Sequence, residues 1–150
     1  MAAAVLWSSF ALLLAVVTAS DLRTRLIPDS ALLAAGAVAL LTLAIAAPSV
    51  LPERVAAAVG AGGFLLAAAL ARPDGMGLGD VKLAAVLGLY LGRAVVPALL
   101  IALAAGALCG VALVAARGWS AREETIPFAP FLATGAAVAR LAASNVDPWS

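Results

Sequence analysis

Residues 83–116 read LAAVLGLYLGRAVVPALLIALAAGALCGVALVAA, a run of 34 residues with Arg93 as its one charge. A membrane-crossing helix uses about 17–25 apolar residues, so this run is too long for a single ordinary span. Gly92-Arg93 and Pro97 interrupt it. Two spans are therefore expected, a short one ending near Leu91 and a longer one starting near Val95. Counted from Asp80, the short one would be about 18 Å long at 1.5 Å per residue, against a hydrocarbon core of about 30 Å. Working outward, apolar runs also cover residues 2–19, 31–47, 55–71 and 126–143. The run 83–116 thus supplies the fourth and fifth of about six transmembrane helices. The expected fold class is all-α, a polytopic membrane helical bundle forming a single transmembrane domain over residues 1–150.

Composition agrees and excludes several classes. Hydrophobic residues make up 65% of the chain and charged residues 11%, where soluble domains carry about 45–50% and about 25%. Nine Lys/Arg against eight Asp/Glu leave a net charge of +1, with no basic excess for a nucleic acid. Disordered chains are poor in apolar residues, so disorder is excluded. Cys109 alone makes no disulfide framework. With no His and one Cys, the usual ligands of a zinc site are missing. Thr18-Ala19-Ser20 offers small residues of the kind found at a signal-peptide cut, but no charge precedes Asp21. A signal peptide wants a basic start, so the first run reads as a retained span.

The loops after spans one, three and five carry Arg23, Arg25, Arg72, Lys82, Arg117 and Arg122. Those after spans two and four carry only Arg54 and Arg93, and Arg140 lies near the end of span six. The bias puts the odd loops in the cytoplasm and both termini outside. Gly88/Gly92 and Gly106/Gly110 match the small-xxx-small spacing, which here points to helix packing within the monomer.

Acidic residues gather where the odd loops meet the membrane: Asp21 and Asp29, Asp74 and Asp80, Glu123 and Glu124. Ionisable groups against a bilayer are expensive and are candidates for function. Several have plainer readings. Asp29 stands at an N-cap position after Pro28, Asp74 belongs to a Pro-Asp-Gly turn, and Glu123 and Glu124 suit a solvated loop. Arg23 and Arg25 suit membrane-flanking anchors. Lys82 suits a lysine reaching for the headgroups, with an electrostatic partnership as the second reading. Asp21 and Asp80 fit less well. Asp21 ends a helix, where its charge opposes the macrodipole. Asp80 follows Gly75, Gly77 and Gly79, which let backbone approach something closely. The two acids are 59 positions apart, yet span parity puts both at one rim.

Two carboxylates held close cannot both ionise easily, and the pair shares a proton. One partner takes a proton from water as the water attacks a peptide carbonyl, and the other protonates the leaving amine. Such chemistry requires no metal and no cofactor.

Three segments carry a family resemblance. SDLRTRLIPD (residues 20–29), GMGLGDVKL (residues 75–83) and IPFAPFLATGA (residues 126–136) resemble, in order and interval, the segments of the prepilin peptidase or type IV leader peptidase family of membrane aspartic proteases. The second resembles that family's GxGD box. The resemblance implies Asp21 and Asp80 as the catalytic pair. It also implies cleavage of a short basic leader from prepilin-like substrates, whose N-terminal apolar helix lies in the bilayer beside the enzyme. The site would face the cytoplasm across the inner membrane. Gly77, Gly79, Lys82, Pro127 and Phe128 are expected to contact substrate or support the site. Pro127 and Pro130 suit the start of a helix. Phe128 and Phe131 either line a groove for the substrate helix or anchor span six. Unlike long members of the family, the chain shows no cytoplasmic domain with paired cysteines, so N-methylation is not expected. Three other readings stay open: a small transporter or channel with rim carboxylates, a membrane scaffold whose acids cap and turn, and a GxGD intramembrane protease acting on another substrate class.

Overall fold

The computed structural model describes residues 1–71, 76–118 and 127–143. Arg72, Asp74, Arg122, Glu123, Glu124 and Asp147 lie outside the described residues. Six α-helices are present among those described: α1 (Ala2–Thr24), α2 (Asp29–Ala46), α3 (Leu51–Ala71), α4 (Leu78–Leu91), α5 (Val95–Arg117) and α6 (Ala129–Ala143). The three helices α1, α2 and α3 are each long and apolar enough to cross a bilayer, as is the run Leu78–Arg117; α6 is apolar but shorter, at 15 residues.

The break expected near Gly92 is present. A 3-10 turn, Gly92–Ala94, separates α4 from α5. Gly92 has φ 55 and ψ −129, backbone that only glycine adopts without strain. Pro97 falls in the first turn of α5, where its missing N–H removes no helical bond. The two helices form a hairpin. Asp80 starts α4 at the end of the bundle where α1 finishes, and α5 returns to that end, where Gly106 meets Phe128 at the start of α6. α4 is 14 residues long, about 21 Å at 1.5 Å per residue.

Apolar-run boundaries placed several helix ends too far inward. α1 continues through Asp21 to Thr24, α3 starts at Leu51 and so contains Glu53 and Arg54, and α4 starts at Leu78 and so contains Asp80 and Lys82. A charge ends an apolar run, but it does not end a helix whose backbone bonds continue. Arg54 is the clearest correction: expected in a loop, it is 2% exposed inside α3. Its guanidinium donates to the Tyr90 carbonyl in the last turn of α4, while neighbouring Glu53 pairs with Arg93 at 3.4 Å. Arg54 thereby satisfies a carbonyl that the end of α4 leaves without a helical partner.

The interior is lined by Leu and Ala with Phe10 and Tyr90, and many of the large apolar side chains, such as Leu33, Ile45, Val59, Leu70 and Leu108, point outward. An apolar surface of this kind suits lipid and not water. Tyr90 ties three helices: its hydroxyl donates to the Ala35 carbonyl of α2 at 2.9 Å and shares a 3.0 Å bond with Ser9 of α1.

Small residues set the helix spacing. A Cβ at Gly88 of α4 would lie 2.5 Å from the Ala58 Cα of α3, and one at Gly62 would meet Ala85 at 3.0 Å. Gly135 of α6 sits against the Ala98 carbonyl of α5 in the same way. Gly88 and Gly106 thus serve contacts inside the monomer. Gly88→Ala is expected to destabilise the bundle by about 1–3 kcal/mol through overpacking. Gly60→Ala, in open space, is expected to be neutral or to stabilise by up to about 1 kcal/mol. Thermal unfolding in detergent separates the two, and equal midpoints would contradict this register.

Candidate active site

Asp21 lies on the buried stripe of α1 made by Leu6, Phe10, Leu13 and Val17, one turn beyond the last of them. At 7% exposed, it needs a donor. The donor is the backbone N–H of Ala129, the first residue of α6, at 3.1 Å from Oδ2. A carboxylate is well placed at a helix N-terminus, where N–H groups lack helical partners. Asp21 therefore does cap a helix, but the helix is α6 and not its own.

The chain turns sharply after Asp21. Arg25 adopts φ 55 and ψ 28, and its N–H returns to the Asp21 carbonyl at 2.9 Å. Ser20 Oγ donates to the Leu26 carbonyl at 2.7 Å. Pro28, in extended backbone, then leads into α2. This corner brings Ile27 against Gly79, where an added Cβ would lie 3.2 Å from the Ile27 Cβ. Glycine at 79 is what allows the first turn of α4 to approach so closely. Asp80 is the third residue of α4, its own N–H bonded to the Gly77 carbonyl at 3.1 Å. Its carboxyl turns back toward Gly77, the N-cap residue, which has no side chain to complete a capping box.

Asp21 and Asp80 line one pocket of about 590 Å³, walled by the corner residues, Asp29, Gly77, Leu78 and Gly79. The two carboxylates are close enough to repel one another. The expected pair is thus brought together from α1 and α4. Gly77 and Gly79 line the same pocket. A Cβ at Gly77 would sit 3.7 Å from Asp80 Oδ2, an ordinary contact, so glycine there leaves open space beside the carboxylate.

Lys82 is not in the pocket wall. Its Nζ donates to both oxygens of Asp29, at 2.9 and 2.8 Å. This corrects the reading of Asp29 as an N-cap: Pro28 holds that position, and no side chain caps α2. Lys82 thereby ties the start of α2 to the start of α4. Pro127 and Phe128 lie at the start of α6, outside the lining of the pocket. The Phe128 ring packs against Gly106 of α5 and tilts onto Phe131, with centroids 6.2 Å apart. Among the described residues no three His, Cys, Asp or Glu come together as a metal-binding group.

With that geometry in view, the relatives become informative. The chain belongs to the type IV leader peptidase family, whose profile matches residues 8–114. The matched region contains both Asp21 and Asp80. A prepilin leader peptidase/N-methyltransferase of Burkholderia pseudomallei (strain 1026b) is 52% identical over 66 residues, which is 43% of this chain and 21% of that protein. One from Aeromonas salmonicida (strain A449) is 38% identical over 77 residues, 51% of this chain and 26% of that protein. One from Aeromonas hydrophila is 38% identical over a stretch of the same length. The aligned stretches span about a fifth to a quarter of the curated relatives they match. No solved structure matches the chain.

Exposed ion pairs contribute about 0–1 kcal/mol, and the Lys82 and Asp29 side chains are 52% and 61% exposed. A double-mutant cycle with Lys82→Ala and Asp29→Ala is expected to give a coupling energy below about 1 kcal/mol. A coupling of several kcal/mol in thermal unfolding would show the pair to be a principal tie between α2 and α4.

Proposed function

We propose that this chain is a membrane aspartic endopeptidase that removes the short basic leader of type IV prepilin-like precursors at the cytoplasmic face of the inner membrane. The observation that carries the proposal is the meeting of Asp21 and Asp80 in one pocket at one end of the bundle. Membership of the family supports it. The pair holds one proton between two carboxylates. The ionised partner takes a proton from water, and the water oxygen adds to the scissile carbonyl. The carbon–nitrogen bond then breaks, and the leaving amine takes a proton from the other carboxyl. No covalent intermediate forms.

Gly77 leaves room for an extended substrate backbone beside Asp80, and Gly79 supports the site by letting Ile27 pack against the start of α4. Lys82 acts at one remove, by fixing Asp29 on the pocket wall. The apolar helix that follows the leader lies in the bilayer against the outward-facing side chains. A cation path would instead ask for polar groups free along the spans. Ser9, one of the few, is engaged by the Leu6 carbonyl and by Tyr90.

Asp21→Asn and Asp80→Asn are each expected to lower leader cleavage of a co-expressed prepilin by about 10²–10⁴-fold, the usual range for a lost acid or base. Wild-type cleavage by either variant would sink the assignment. The loop charges also commit to an orientation. A reporter active only in the cytoplasm, fused after Gly118, is expected to be active, and a reporter active only outside it to be silent. The reverse pattern would overturn the cytoplasmic site.

A further inference from the structure

The proposed chemistry treats the two carboxylates alike, but the start of α6 does not. In its first turn, Pro130 has no N–H, and the Phe131 N–H is taken by the Phe128 carbonyl at 3.0 Å. Of positions 129–131 only Ala129 has an N–H left, and it points at Asp21 Oδ2. Ala129 is fully buried, so the bond is sheltered from water and correspondingly strong. An N–H donated to a carboxylate favours its ionised form and fixes its orientation. Resting on the peptidase reading above, we propose that the Ala129 N–H is a positioning donor that makes Asp21 the general base and leaves the shared proton on Asp80.

The charged surroundings fit this division. Among the described residues, the charged groups around the pocket are Asp80 from α4, Arg25 from the corner and Asp29 from α2. Asp29 is already matched by Lys82. The first turn of α6 contributes no acidic side chain. Asp80 lies beside Gly77, the residue just before its own helix, and shares the pocket with Asp21. Residues 129–131 therefore act through their backbone. Pro130 strips a competing donor from the helix start, leaving the Ala129 N–H as the one among the three that meets Asp21.

The test is the pH dependence of kcat/KM for leader cleavage of a purified type IV prepilin by the full chain in lipid nanodiscs. Ala129→Pro removes the N–H at a first helical position, where proline is otherwise well accommodated. Its acid limb is expected to move up by about one pH unit, lowering kcat/KM about tenfold below the limb, with the alkaline limb in place. Ala129→Gly keeps the N–H and is expected to return the acid limb to its wild-type position, whatever its overall rate. Should Ala129→Pro fail to accumulate, lactic acid in place of Ala129 by cell-free synthesis removes the N–H without adding a ring and reads out the same limb, and lactic acid in place of Phe131, which weakens a carbonyl and removes an N–H of the same turn but spares the Ala129 N–H, is expected to leave that limb in place. Movement of the alkaline limb instead, or of neither, overturns the proposal while leaving the peptidase reading intact. A wild-type chain that cleaves no prepilin at any pH fails that reading itself.

Discussion

A buried carboxylate at the end of an apolar helix must be met by donors, and the bundle is arranged to meet one. Asp21 continues the stripe on which Leu6, Phe10, Leu13 and Val17 pack, so α1 cannot join the core without carrying the charge inward. The answering N–H comes from α6, 108 residues further along the chain. That helix reaches Asp21 because it lies antiparallel to α5 and close to it, a contact that depends on Gly106 and Gly135. Helix packing and carboxylate satisfaction are thus one constraint. In lipid there is no general apolar driving force between helices, and small residues with a few polar ties take its place.

Asp80 is brought up by a different device. It rides on the first turn of α4, which is pressed against α3 through Gly88 and Gly62 and against the α1–α2 corner through Gly79. The left-handed Arg25 and the extended Pro28 set the shape of that corner. The separation of the two acids is therefore governed by one tight turn and two close helix contacts, with no contribution from a flexible side chain reaching across. The Lys82–Asp29 pair closes the same end from the outside.

Most of the fold was legible because lipid imposes a simple rule on sequence: long apolar runs become helices. The hairpin at Gly92 was legible for the same reason, since 34 residues could not make one span and glycine marked the break. The candidate acids were legible because charge is scarce. What the runs concealed were the charged residues lying inside helices. Arg54 stands two turns before the stripe of Ala61, Leu65 and Ala69 and on the same face; extending the period backward would have found it, and counting apolar residues could not. The tie between Asp21 and Ala129 was hidden differently. It joins a side chain to a backbone group, and no residue type at position 129 announces it. Pro130 is the nearest signal, because a missing donor leaves its neighbour's exposed.

Helix α4 holds the Asp80 carboxyl in its first turn, and at its last turn the guanidinium of Arg54 on the Tyr90 carbonyl. The guanidinium sits at the end of the helix dipole that welcomes a cation, and the carboxyl opens onto the pocket at the other end. In a medium without water to replace either partner, sliding α4 along its axis would separate the guanidinium from its carbonyl and drag the carboxylate into hydrocarbon. The helix is thus clamped lengthwise, like a strut pinned at both ends. Any adjustment of the gap between the two acids has to come from rotation or tilt, or from α1 and α6 moving against a strut that stays where it is.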